Sequence, residues 1–506
     1  MNRFLIISIK FVPVALLLFV RSQGMADEPK KPASAPPSST TTAEKPEVFQ
    51  FILHPAMPPY AALKYRLLPR GIEQTPGNAA PHFFRAALMI ANDKAIQDVD
   101  AAPSPEALSK LDQWLDLPLD LLSKNDEAQR FFNERPSGLW DLINLAARRE
   151  QCNWDLPIRE FNFSTMIPEL IKMRDIGRLL AFKARIEMSR GQLDASLETL
   201  KTGMALARHA ANAQTLVNAL VGIKVAHLML EQVELLIQQP RCPNLYWTFT
   251  ELPEPLIGLS AGLSFERDFV ELYFPELHNI RNAVHTDADW DAMLLRVADK
   301  FINVMQDVGG PQKKNLEWFG QGALFAISAY PKAKAQLEDA GYTAAQIKEM
   351  SVSQAILTAE VETFDHACDD IHKWFYADPP HALQGLAETE KEFKSWAGAN
   401  REIIPMASLL LPALNKCKAQ QVQLDCEVAA LRCLEAIRFY AAKHDGHLPN
   451  RLSDIQEVPI PNDPFSGQPF TYSVHDGRAV LTASPPAGVF SVPGLHWEIE
   501  MANVKK

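Results

Sequence analysis

The feature that most constrains the fold is a long succession of helical segments that ends only near the C-terminus. From residue 81 to about residue 415, apolar residues recur at helical spacing in one segment after another. The residues that separate these segments include Pro136, Gly191, Pro240, Pro253, Pro255, Pro379 and Pro405. Period-two alternation, which is typical of strands, is scarce before residue 468. The sequence therefore predicts a mainly α-helical body over residues 48–417.

The last part of the chain changes character. Residues 421–443 place apolar side chains on one helical face, and a Leu-Pro loop follows. Beyond residue 468, the apolar residues that alternate with polar ones are Phe470, Tyr472, Val474, Val480, Trp497, Ile499 and Met501. Asp476-Gly477 between two of these runs is a hairpin signal. We therefore predict a small α+β domain over residues 418–506.

Composition excludes several classes of protein. Of the 506 residues, 47% are hydrophobic, which is too high a share for a mainly disordered chain. The formal net charge of −11 argues against a nucleic-acid partner, because such binding needs a basic surface. Six cysteines are too few for a disulfide scaffold of this length, and free buried thiols are a fair interpretation of their scatter.

The N-terminus has the pattern of an export signal. Arg3 precedes an apolar run over residues 11–20, and small residues around Ala26 suit cleavage, so residues 1–26 are predicted to be a signal peptide. The alternative is an uncleaved anchor, which would tether the protein to a membrane. Residues 27–47 are rich in Pro, Ser and Thr and predict a disordered linker. We expect an exported protein, periplasmic or secreted.

One helix pair has the spacing of a known repeat. Residues 177–210 resemble the 34-residue tetratricopeptide unit, in which small side chains stand where two helices approach closely. Ala184, Ser196 and Gly203 occupy those structural positions, and Gly191 lies in the turn. The neighbouring segments do not keep the spacing, so an ordinary helical hairpin is the alternative.

Two further resemblances concern larger parts of the chain. The stretch AALRCLEAIRFYAAKHDGHLPNRLSDI with NDPFSGQPFTYSV resembles the globular domain of type II secretion major pseudopilins. No prepilin processing site precedes it, so the resemblance implies a local fold and not fibre assembly. Segments such as TGMALARHAANAQTLVNALVGI and HKWFYADP resemble uncharacterised exported bacterial proteins of helical-repeat-like type, a likeness that implies location and architecture but no activity.

One serine lies in a sequence that can be read as a hydrolase motif. Gly258-Leu259-Ser260-Ala261-Gly262 matches the G-x-S-x-G nucleophile elbow, which would make Ser260 a catalytic nucleophile. That chemistry needs a strand before the serine, and Pro253 and Pro255 are incompatible with a central strand. A loop followed by a helix start is the simpler interpretation.

Two carboxylate clusters are weak metal candidates. Glu362 and His366, and Asp369 and His372, stand at i,i+4 and i,i+3 in one predicted helix and could share a metal, although a solvated acidic face is more usual. Asp463 and Asp476 could offer oxygen ligands to calcium, which pseudopilins of the resembled type bind in this loop.

The sequence contains no Walker A, G-x-G-x-x-G, H-E-x-x-H or zinc-spaced cysteines, so we expect no cofactor. These observations favour a non-enzymatic binding or scaffold protein of the cell envelope, with an envelope protein or peptide as its partner. The alternatives are an exported serine or metal-dependent hydrolase, or a secretion-system accessory. The fold expected is a tetratricopeptide-like helix-pair array followed by a small α+β domain.

Overall fold

A computed structural model shows a mainly helical protein with a small sheet assembled near its C-terminus. It describes residues 47–101, 108–156, 167–213, 215–307, 322–399, 406–486 and 492–502. The predicted signal peptide and nearly all of the predicted linker lie outside these residues. The coarse prediction, helices followed by a small sheet, is confirmed.

The helices follow the breakers of the sequence closely. The α-helices are α1 (Ala80–Asn92), α2 (Lys94–Asp100), α3 (Lys110–Asp116), α4 (Leu119–Leu122), α5 (Asp126–Asn133), α6 (Ser137–Ala147), α7 (Ile167–Ser189), α8 (Leu193–Ala211), α9 (Leu216–Ile237), α10 (Tyr246–Thr250), α11 (Ser260–Tyr273), α12 (Asp287–Asp307), α13 (Gly322–Asp339), α14 (Ala344–Glu349), α15 (Val352–Phe375), α16 (Pro379–Ala399) and α17 (Met406–Lys443). The strands are β1 (Glu47–Leu53), β2 (Thr75–Asn78), β3 (Arg149–Gln151), β4 (Thr471–His475), β5 (Arg478–Ala483) and β6 (Leu495–Met501).

Helices α7, α8 and α9 form the centre of the helical body. They pack against one another, and most of their described side chains are buried around the whole circumference. A helix that is apolar on every side is typically buried in a core. Helix α9 is an example, because only Lys224 among its residues is exposed. Gly222 lets α9 approach α8, since a Cβ atom there would lie 2.5 Å from the carbonyl oxygen of Ala207.

Helix α17 is a second central element. It runs for 38 residues, and both the helical body and the C-terminal region pack around it. The sequence predicted one helix that ends near residue 415 and another that begins at residue 421, but Met406–Lys443 is a single continuous helix. The domain boundary that the sequence analysis places between residues 417 and 418 therefore falls inside a continuous helix.

The sheet combines both ends of the described chain. Its strand order is β1-β6-β5-β4, with β1 parallel to β6 and the other pairs antiparallel. The predicted turn at Asp476-Gly477 joins β4 to β5, and both residues have positive φ, as a tight hairpin requires. Phe49 of β1 stacks on Trp497 of β6 with ring centroids 5.6 Å apart. The strand at residues 47–53, which the sequence analysis placed at the start of the helical body, thus completes the C-terminal sheet.

A fully buried ion pair connects these parts. The Glu435 and Arg438 side chains of α17 are wholly inaccessible and lie 2.6 Å apart. Arg438 also donates to the carbonyl oxygens of His54 and Cys242, and Glu435 accepts from the backbone N–H of Leu245. Because each charge has several partners, the pair fixes the segment after β1 and the loop before α10 against α17.

Candidate functional site

A cavity of about 560 Å³ opens between α11 and α15. This volume is in the ordinary range for ligand sites. The residues that line it are Leu263, Ser264, Arg267, Asp268, Asp369, His372, Lys373 and Tyr376. Ser264, Arg267 and Asp268 share one face of α11, while Asp369, His372, Lys373 and Tyr376 follow one face at the end of α15. The cavity thus lies between two polar helical stripes.

His372 is the most unusual residue of the cavity. His372 is only 7% exposed, yet among the residues that the structure describes its Nε2 atom has no hydrogen-bond partner. Burial lowers the pKa of this imidazole, the nearby Arg267 guanidinium lowers it further, and Asp369 acts in the opposite direction. The ring is therefore neutral near pH 7. A buried polar atom without a partner is costly, so a ligand group that meets Nε2 would be favoured.

The charges around the cavity are paired but remain accessible. Arg267 lies 2.8 Å from Asp369, with both side chains at least half exposed. Lys373 lies 2.6 Å from Asp370, and its ammonium group stands 5.5 Å from the ring centre of Trp374. Tyr376, at the rim, is 83% exposed. Exposed ion pairs contribute little stability, so these groups are available to a charged ligand at small cost.

The structure separates the four metal candidates of α15. Asp369 and His372 line the cavity. Glu362 instead accepts two hydrogen bonds from Arg281 and one from the Tyr342 hydroxyl, and the bonds from Arg281 hold its pKa below the usual range. His366 points to solvent and contacts Asp370. Among the described residues, no three His, Cys, Asp or Glu side chains are grouped so that they could hold a metal ion.

The calcium candidates lie on two separate turns. Asp463 is buried, and its carboxylate accepts from the backbone N–H of Phe465 and from the Ser466 hydroxyl, each at 2.9 Å. Burial raises its pKa above the usual value despite these bonds. Asp476 is exposed in the β4–β5 hairpin. The bonds of Asp463 are those of a side chain that shapes the turn over residues 463–468.

Ser260 is the exposed first residue of α11. Its carbonyl oxygen accepts from the Ser264 hydroxyl, and within the part of the chain that the structure describes its own hydroxyl makes no hydrogen bond to a histidine. Gly262 has a packing reason, because a Cβ atom there would lie 2.7 Å from the backbone nitrogen of Leu216. Close contact between α11 and α9 therefore accounts for one glycine of the G-x-S-x-G match.

The small residues that the sequence analysis assigned to the α7–α8 pair lie where helices pack closely or where the chain turns. The Ser196 hydroxyl of α8 donates to the carbonyl oxygen of Ala184 in α7 at 3.1 Å, and Gly191 adopts φ +73° in the turn between them. Gly203 faces α9 instead, where a Cβ atom would lie 2.0 Å from the sulfur of Met229.

The six cysteines are free and buried, and burial raises the pKa of each thiol. Thiols of this kind are unreactive, because the thiolate is the nucleophile.

The sequence analysis singled out Asp369 and His372 but missed Arg267, Lys373 and Tyr376. The signal available was the spacing of polar residues at i, i+3, i+4 and i+7 from Asp369, which continues beyond the carboxylate cluster to Tyr376. Nothing in the sequence indicated that α11 would face this stripe.

Comparisons with protein families, with curated proteins and with solved structures each return no significant match to this chain.

Proposed function

We propose that this chain is an exported, non-enzymatic binding protein of the cell envelope and that the α11–α15 cavity is its binding site. The observation that carries the proposal is the buried His372 Nε2 atom, which lies in a cavity of ligand size and has no hydrogen-bond partner within the described part of the chain. Native proteins leave few buried polar groups unpaired, so an unpaired atom that also lies in a cavity of this size is a candidate contact for a ligand.

The chemistry of the cavity suits a peptide segment of an envelope protein. A neutral imidazole can form a hydrogen bond with a backbone amide group. The two accessible ion pairs, Arg267–Asp369 and Lys373–Asp370, can exchange partners with charged side chains of either sign. Tyr376 offers an exposed aromatic ring at the rim, and aromatic side chains are enriched among the residues that dominate binding energy.

The helix pair α7–α8 enters this proposal as a scaffold. We interpret it as a tetratricopeptide-like pair because of the Ser196–Ala184 contact and the left-handed Gly191. In open arrays of such pairs the inner face binds ligands. Here both helices are buried by α1, α6 and α9, so the pair supports the body and the ligand site lies elsewhere.

The exported location rests on the pattern of residues 1–26 and on the resemblances already described. No described helix is both long and apolar enough to span a bilayer. In this proposal a membrane tether requires that the N-terminal apolar run is retained. The partner we propose is a protein or peptide rather than a nucleic acid, because the net charge is acidic.

Site-specific photo-crosslinking in cells that produce the full chain tests the proposal. A benzophenone amino acid at Tyr376 should give a discrete adduct, whereas the same group at Ile327, which is 71% exposed on α13, should not. Introducing His372→Leu with the probe at Tyr376 should lower the adduct yield about fivefold, the effect of losing one hydrogen bond. No adduct, or a yield indifferent to His372, would contradict the proposal.

The same assay separates the hydrolase alternative. Ser260→Ala, and the pair Glu362→Ala with His366→Ala, should leave the adduct yield unchanged, because none of these side chains lines the cavity. If Ser260→Ala instead traps a long-lived non-covalent complex with a substrate, because the nucleophile that would consume the substrate is missing, the serine hydrolase hypothesis would replace the binding hypothesis.

A further inference from the structure

A second surface is unusual because it is apolar, exposed and held in place. The loop after β1 contains nine consecutive uncharged residues, Pro55-Ala-Met-Pro-Pro-Tyr-Ala-Ala-Leu63. Tyr60 is fully exposed, Met57 is 53% exposed and Leu63 is 41% exposed. We call residues 57–63 the apolar tip. Exposed clusters of this kind mark contacts with another surface.

Both ends of the apolar tip are fixed to the core. On one side, the backbone N–H of Ala56 donates to the carbonyl oxygen of Arg438, and its carbonyl oxygen accepts from the Asn244 side chain. On the other side, the carbonyl oxygen of Tyr65 accepts from the Thr248 hydroxyl, and Leu67 is 1% exposed. These hydrogen bonds fix both ends of the apolar tip to the core, and the side chains between them stay exposed to solvent.

The charged side chains that follow the apolar tip point into solvent or are paired elsewhere, so they do not cover its apolar side chains. Lys64 is fully solvated, with its ammonium group 4.9 Å from the ring centre of Tyr65 and with Asp194 nearby. Arg66 is paired with Glu251. An aromatic residue among aliphatic ones, followed by a lysine, is the composition of a segment that enters the headgroup region of a bilayer.

The geometry of the N-terminal chain favours the same partner. The apolar run that ends at Val20 is separated from β1 by residues 21–46. These 26 residues can reach at most about 90 Å. The seven residues of β1 then lead to the apolar tip over about 23 Å. The maximum reach of residues 21–46 exceeds the length of β1, so the run and the tip can contact one bilayer together.

We propose that Met57, Tyr60 and Leu63 insert into the headgroup region of a lipid bilayer. The proposal takes the alternative of the sequence analysis, in which the N-terminal apolar run is an uncleaved anchor, and the tip is then a second contact with the same bilayer. The tip is small and the protein is acidic overall, so its own affinity is low. A short tether supplies an effective concentration in the millimolar range, at which weak insertion is sufficient. The inference does not depend on the α11–α15 cavity.

The test uses the full chain in vesicles of phosphatidylethanolamine and phosphatidylglycerol. Tyr60→Cys is labelled with the environment-sensitive dye NBD, and Val284→Cys, at a position 94% exposed, is the matched control. Because all six native thiols are buried, the wild-type protein should take up no dye. The label at position 60 should show a blue shift and about a twofold rise in emission when vesicles are present, since it leaves water for the headgroup boundary. The label at position 284 should not.

A further variant tests the apolar side chains themselves. Met57→Asp with Leu63→Asp in the Tyr60→Cys background should abolish the shift, while Val284→Asp in the same background should preserve it. The same emission shift is measured on a chain that lacks residues 1–26. A shift that persists there supports insertion of the tip by itself, and a shift seen only in the full chain supports insertion that depends on the anchor. Identical responses at positions 60 and 284, or no response at 60 in the full chain, would overturn the proposal.

Discussion

Two sets of buried polar groups, the Glu435–Arg438 pair in the centre of the molecule and His372 at its α11–α15 edge, differ in how their hydrogen bonds are satisfied. In the centre, Glu435 and Arg438 are wholly inaccessible, and every part of the pair is met by backbone groups or by the partner charge. At the edge, the His372 Nε2 atom is buried without a partner among the described residues, while the neighbouring ion pairs are exposed. The central pair has the hydrogen bonds of a structural element, whereas His372 keeps an unused donor or acceptor beside a cavity that a ligand can enter.

The largest expected effect is at the central ion pair. Arg438→Ala leaves the Glu435 carboxylate buried and uncompensated, so it should lower the free energy of unfolding by about 3–5 kcal/mol. The matched control is Arg478→Ala, which breaks an Arg–Glu pair on the sheet whose side chains are both more than half exposed. That change should cost no more than about 1 kcal/mol. Chemical denaturation measures the free energy of unfolding of both variants. Equal losses in Arg438→Ala and Arg478→Ala would contradict the special role assigned to the buried pair.

Packing at the centre predicts the next effect. Gly222→Ala forces a methyl group against the backbone of α8, which cannot move aside easily, and should cost about 1–3 kcal/mol. Gly138→Ala, in a helix position with no atom within 4 Å of the new Cβ, should instead stabilise by about 0.5–1 kcal/mol. Thermal unfolding distinguishes the two signs. A neutral Gly222→Ala would show that α8 and α9 are less tightly packed than described.

The pH dependence sharpens the comparison, because Glu266 is buried beside the candidate site but faces the core. Burial raises the pKa of Glu266 to about 7, although the backbone N–H of Leu216 donates to its carboxyl group. The folded state therefore holds this proton more tightly than the unfolded state, so stability falls as pH rises from about 4.5 towards 7. Glu266→Gln should flatten that part of the profile, by about 1.4 kcal/mol for each unit of pKa difference. An unchanged profile in urea unfolding at several pH values would contradict the assignment.

The smallest effect is expected at the edge. His372→Leu removes an unpaired buried nitrogen, so it should leave stability unchanged or raise it by up to about 1 kcal/mol. Thr358→Val, which removes an unpaired buried hydroxyl from the same helix, is the matched control and should behave alike in unfolding experiments. Only His372→Leu should reduce crosslinking from position 376. Marked destabilisation by His372→Leu would make the histidine a structural residue of the core.

The sequence predicted what depends on local pattern. Helical spacing predicted the α7–α8 pair from residues 177–210, and Asp476-Gly477 marked the hairpin, because these signals are carried by neighbouring residues. The pairing of β1 with β6 could not be predicted, since its register depends on residues at opposite ends of the chain. The same applies to the candidate site: the stripe on α15 was visible, but Arg267 and Ser264 join it only through packing of α11.

The parallel pairing of β1 with β6 also has a consequence for biosynthesis. The ribosome makes Glu47 early, yet its partner Leu495 appears about 450 residues later, roughly 20 to 90 seconds afterwards at 5–20 residues per second. During that interval the strand carries Phe49 and Phe51 with no sheet to cover them. A translation product that stops before β6 cannot bury these rings, so it would remain exposed to chaperones and proteases. Burial of Phe49 and Phe51 therefore waits until β6 has been synthesised and has paired with β1.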